Sequence, residues 1–164
     1  MTCLAQNHSK SVDIIIKAFF SSWLAYDWAD PGDQLKWLAS ELQSAEANGE
    51  KVYILMHMGG GNFGQTYGPW GREFAKLVDR FEGTIAAQFH GHTHNDEFKI
   101  FYDLETNNRP LSVAYVSPSV ATWRNMNPAY RIFTIDGEYE GSSHVSRSLI
   151  KSPGCVIFAT TILL

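Results

Sequence analysis

Four histidines stand at or just past stretches that read as strands: His57, and the trio within His90-Gly91-His92-Thr93-His94. Neutral imidazole is a good ligand for divalent metals such as zinc or iron. His92 and His94 are two residues apart, and in an extended segment such residues point the same way. Gly91 permits a sharp backbone turn just before them. His57 closes the apolar run Val52-Tyr53-Ile54-Leu55-Met56. A lone histidine is usually only a polar surface residue. A strand-terminal histidine together with Gly-His-Thr-His reads instead as a metal centre, with His57, His92 and His94 as ligands. Three histidines also suffice for a mononuclear zinc site, so spacing alone leaves one metal or two open.

The elements that must bring these residues together can be read from periodicity. Asp30-Pro31 reads as a helix start, an Asp cap with Pro at the first helical position. Leu35, Leu38, Leu42 and Ala45 follow at helical spacing, and Asn48-Gly49 reads as the stop. The run 52–56 is a buried strand. It ends at His57 and opens into Met58-Gly59-Gly60-Gly61-Asn62, a loop. A second helix is expected over 70–82, with Trp70, Phe74, Leu77 and Phe81 on one face. Residues 84–89 form another short buried strand. Strands at 98–102, 111–116 and 130–135 follow. This order predicts an α/β (α+β) class, a mixed sheet flanked by helices. Ligands in open α/β sheets gather outside the carboxyl ends of the strands. If 52–56 and 84–89 are parallel neighbours joined by the helix between them, His57 lies close to the Gly-His-Thr-His segment.

The 164 residues are 45% hydrophobic and 18% charged, with a net charge of −4, a composition suited to one globular domain. No Lys/Arg run exists, so a basic nucleic-acid interface is not expected. Cys3 and Cys155 stand near opposite ends and form no metal-ligand spacing. One Asn-X-Ser glycosylation sequon is present at Asn7-His8-Ser9. No signal peptide is recognisable at the start.

Several segments resemble the acid sphingomyelinase family. They are Asp30-Pro-Gly-Asp-Gln-Leu-Lys-Trp-Leu38, Ile85-Ala-Ala-Gln-Phe-His-Gly-His-Thr-His-Asn-Asp-Glu-Phe98, Arg109-Pro-Leu-Ser-Val-Ala114, Asn127-Pro-Ala-Tyr-Arg131 and Ile135-Asp-Gly-Glu-Tyr-Glu-Gly-Ser-Ser-His144. Their order matches as well. Gly-His-Thr-His alone is shared by many calcineurin-like metallophosphoesterases. The resemblance implies the C-terminal half of a four-layered αββα metallophosphoesterase sandwich over residues 24–146, with 1–23 and 147–164 unmatched. It implies a site for two zinc ions, with His57 and His92 matching ligands of one metal and His94 a ligand of the other. The implied chemistry is phosphodiester hydrolysis, sphingomyelin and water giving ceramide and phosphocholine. Sphingomyelin at a membrane surface is then the implied partner, and a lysosomal or secreted location is implied with it. Trp123 becomes a candidate contact for the choline group, since an aromatic face attracts a quaternary ammonium. Tyr130 and Arg131 are further candidates for the phosphate or the core. His90 is expected to be structural or to support the ligands from behind, and His144 to be structural or exposed.

The departures from the family pattern matter as much. The Asp-X-His, Gly-Asp and Gly-Asn-His motifs that complete the family site are missing, and the surroundings of Gln6-Asn7-His8 do not match the last of them. The family loop Gly-His-X-Pro-Pro-Gly reads Met56-His57-Met58-Gly59-Gly60-Gly61 here, and without its prolines it is expected to be looser. The expectation is therefore a truncated, weakly active or inactive enzyme. The alternatives are a mononuclear His₃ zinc hydrolase and a non-catalytic fragment that binds a partner.

Overall fold

The computed structural model describes residues 9–14, 30, 32–60, 66–122, 125–135 and 155–159. Helix α1 (Gln34–Ala47) forms where Leu35, Leu38, Leu42 and Ala45 recur at intervals of three and four, and all four are buried. That spacing places them on one face. The helix begins later than the Asp30-Pro31 signal suggests, because Gly32 and Asp33 adopt left-handed backbone angles, φ 78° and 52°. Asp30 still serves as the acceptor for the helix start. Its two carboxylate oxygens take the Leu35 and Lys36 amides at 2.9 and 3.0 Å, two of the donors that the first turn leaves unpaired.

Strands β1 (Ser9–Ile14), β2 (Lys51–Met56), β3 (Ile85–His90), β4 (Glu97–Tyr102) and β5 (Pro110–Val116) form one sheet in the order β1-β2-β3-β5-β4. The β1-β2, β2-β3 and β3-β5 pairs are parallel, and β4 closes the edge antiparallel to β5. Helix α2 (Gly68–Arg80) links β2 to β3. Strands β6 (Arg131–Ile135) and β7 (Cys155–Ala159) make a second, antiparallel pair. The α/β class with a mixed sheet and flanking helices is therefore the one the chain adopts.

Each face of the large sheet carries its own apolar cluster. On one side α1 and α2 pack Leu38, Leu42, Trp70, Phe74 and Val78 over Val52, Ile54 and Met56. Fully burying side chains of this size contributes about 1.5–3 kcal/mol each. On the other side Ala87 and Phe89 meet Phe133 of β6, with Tyr53, Leu55 and Tyr115 around them. The Phe133 ring stands 4.9 Å from Phe89 and 5.1 Å from Tyr115, centroid to centroid. The described layers are thus helices, large sheet and small sheet.

Both unmatched ends contribute a strand to this body. The sequence reading places no element in 1–25 or 147–164, yet β1 pairs along the whole of β2 and β7 along β6. The cause is tertiary. Ser11-Val12-Asp13-Ile14 alternates over only four residues, too few to stand out, but a parallel strand leaves a row of backbone donors and acceptors at its edge that a neighbouring segment satisfies. The apolar stretches at 15–25 and 160–164 lie outside the described residues.

Candidate metal centre

The parallel arrangement brings the carboxyl ends of β2, β3 and β5 to one edge of the sheet. The Gly91 amide donates to the His57 carbonyl at 2.9 Å, and the Ser117 amide donates to the His90 carbonyl at 2.8 Å. His57 and the Gly-His-Thr-His segment are therefore neighbours across adjacent strands, as the spacing of elements predicts.

His57 and His92 meet side chain to side chain. His57 Nε2 and His92 Nδ1 are 3.3 Å apart, and the rings stand edge to face with centroids 5.2 Å apart. The contact depends on an unusual backbone: His92 has φ 79° and His94 has φ 66°. Non-glycine residues rarely adopt this left-handed region, and strain held there often accompanies a functional site. An extended Gly-His-Thr-His would point both imidazoles the same way. The left-handed turns replace that alternation, so the two rings need not share a side. Burial, and then the charge of nearby His94, push the His57 ionisation below the usual histidine value. The shift favours the neutral imidazole, the form that binds metals.

His94 is buried and close enough to His57 to influence its charge. Among the described residues no group of three or more His, Cys, Asp and Glu side chains is placed to hold a metal ion. The pair itself fits one. Two nitrogens bound to one tetrahedral zinc at about 2.0–2.1 Å lie roughly 3.3–3.4 Å apart, the separation of His57 Nε2 from His92 Nδ1. The pair thus offers two nitrogens at a separation that a single zinc ion would accept.

His90 is buried under the loop that follows His57, and neither of its ring nitrogens has a hydrogen-bond partner among the described residues. Tyr130 is exposed. Arg131 pairs with Asp96 at 2.8 Å, which ties the segment after His94 to β6. Nothing in the residue spacing announces this tie. Gln88 is a further polar residue at work, inside an apolar strand, and its side-chain amide donates to Ser112 Oγ at 2.9 Å. That polar interruption was the available signal. Trp123, the choline candidate, lies outside the described residues, and so do His144, His8 and Asn7.

No family-wide sequence profile matches the chain. Individual relatives do. It is 50% identical over 123 residues to sphingomyelin phosphodiesterase from Bos taurus and to that from Homo sapiens, a match covering 75% of this chain and 19% of each relative. It is 42% identical over 135 residues to sphingomyelin phosphodiesterase 2 of Caenorhabditis elegans, covering 82% of this chain and 22% of that protein. The chain is thus a homologue of the sphingomyelin phosphodiesterases, corresponding to about a fifth of their length.

Proposed function

We propose that this chain carries the histidine-rich part of a sphingomyelin phosphodiesterase site, and that His57 and His92 hold one zinc ion while His94 serves a second, adjacent position. The observation that supports this reading is the 3.3 Å approach of His57 Nε2 to His92 Nδ1, with His94 close enough for its charge to act on His57. The division of ligands is the one that the family resemblance implies. A mononuclear three-histidine site would need all three rings on one point, and among the described residues no such group is found.

When bound, metal ions in such a site polarise phosphoryl oxygens and activate water. The chain's own residues hold ligand nitrogens in place. The Gly91 amide fixes the His57 backbone, the left-handed turn at His92 aims its Nδ1 at His57, and burial favours the neutral form of His57. The substrate class is a phospholipid diester. The carboxylate motifs that complete the family site have no counterpart in this sequence, so hydrolysis by this chain alone should be weak or absent.

Titration of metal-free protein with Zn²⁺ or Co²⁺ tests the reading. One ion should bind per chain at the His57–His92 position, since His94 by itself supplies too few ligands to hold the second; binding should vanish in His57→Ala and in His92→Ala but survive in His94→Ala, whereas a three-histidine site would lose it in all three. Binding that survives both substitutions would refute the assignment. Sphingomyelin turnover at an ordinary enzymatic rate by the chain alone, abolished by His92→Ala, would show that the site is complete without further motifs.

A further inference from the structure

The loop after His57 lacks the prolines of the family pattern, but its first residues are not loosely placed. Met58 and Gly60 are buried. A Cβ on Gly60 would lie 2.0 Å from Phe74 Cδ1 and 2.5 Å from Cε1, so the Gly60 backbone rests directly on the Phe74 ring. A Cβ on Gly59 would stand 3.1 Å from His90 Nδ1. Neither glycine has a left-handed φ, so close approach is what requires glycine here, not backbone handedness. The Thr66 hydroxyl donates to the Gly59 carbonyl, closing the loop upon itself.

Phe74 cannot yield. It is fully buried, stacked on Trp70 at 5.2 Å and 11°, and met edge-on by Phe101 at 6.0 Å. His57 is therefore held from two directions. Its carbonyl is fastened to β3 through Gly91, and the chain three residues on is seated on α2 through Gly60.

We propose that Gly60, seated on Phe74, is a positioning residue that keeps His57 opposite His92. The contact of backbone on aromatic ring takes the place of the family's prolines. This inference rests on the proposed metal site for its consequence, but the geometry it concerns exists without metal. Residues that orient metal ligands typically change affinity by about 10- to 100-fold when altered.

The test uses the whole chain and two readouts: the nuclear Overhauser contact between the His57 and His92 rings in metal-free protein, and Zn²⁺ affinity by competition with a chelator. Gly60→Ala should abolish the ring contact and weaken Zn²⁺ binding by at least about tenfold. Phe74→Leu in the Gly60→Ala background should restore both in part, by making room for the methyl group. Val78→Ala is the control for general destabilisation. It removes bulk from the same helix and core, away from the loop, and should leave both readouts unchanged. If Gly60→Ala does not fold, Phe74→Leu alone serves, since it opens the seat from the other side and should weaken the ring contact. Retention of the ring contact in every folded variant, or its equal loss in Val78→Ala, would overturn the proposal. Loss of the ring contact in Gly60→Ala in a protein that binds no Zn²⁺ at all would support the positioning role and sink the metal-site reading.

Discussion

Replacing His90 with Phe should make this protein more stable, and the gain should grow as the pH falls. His90 is 3% exposed, and neither ring nitrogen has a hydrogen-bond partner among the described residues. A neutral imidazole carries one N–H and one lone pair. Leaving a buried polar group unpaired costs about 1–3 kcal/mol. Phe is close in shape and has neither group, so a gain of about 1–3 kcal/mol is expected at pH 7.5. Burial, and then the Lys99 charge, depress the His90 ionisation from 6.5 to about 3. Between those values the unfolded chain binds the proton and the folded chain does not. Stability therefore falls as pH drops through that window. At about 1.36 kcal/mol per pH unit, the wild type should lose about 2 kcal/mol from this group between pH 7.5 and 5.0. The Phe variant should lose none of that. Urea unfolding of both proteins at pH 7.5 and 5.0 measures the two quantities from the midpoints and slopes. A variant less stable than wild type at pH 7.5, or equal pH dependence in the two proteins, would refute the reasoning.

Three other outcomes follow from the packing and the turns. Asp30→Ala should destabilise the protein by about 1 kcal/mol, because the Leu35 and Lys36 amides lose their acceptors; chemical denaturation checks it. Leu42→Ala, at a position with no exposure under α1, should cost about 2–5 kcal/mol by the same assay. Asp103 accepts the Thr106, Asn108 and Arg109 amides, and the Thr106 and Arg109 bonds foremost hold its carboxyl well below the usual carboxylate range. Its stabilising effect is thus fully present above that range and lost as pH falls below it. Asp103→Asn should lower the thermal midpoint at pH 7 and flatten the acid side of the stability profile, and an unchanged profile would show that the turn does not need the charge.

Much of the scaffold was legible because periodicity reports burial directly. The α1 leucines and the Trp70 and Phe74 positions of α2 were recognisable from spacing and are buried; the apolar run of β2 was recognisable as a strand, but only Val52, Ile54 and Met56 are buried, because Tyr53 and Leu55 face the other side of the sheet, and on α2 Val78 is buried where Leu77 was expected. The nearness of His57 to His92 was legible one step further on. It required only that β2 and β3 be parallel neighbours joined by a helix. The strands at the two ends were not legible, since short segments take strand form when an open edge offers them partners.

What the sequence determined by itself is the run of elements from α1 to β6, the apolar faces of the helices and the chemical character of a histidine-rich edge. These follow from local spacing, which the chain carries in every conformation. Only the tertiary structure decided that β1 and β7 join the body, that His92 and His94 adopt left-handed backbone angles, and that His57 Nε2 meets His92 Nδ1. It alone seats Gly60 on Phe74 and buries His90 without a partner among the described residues. Each of these depends on atoms distant in the chain meeting within a few ångströms. No periodicity encodes such contacts, because they are set by how whole elements pack and not by the order of residues within any one of them.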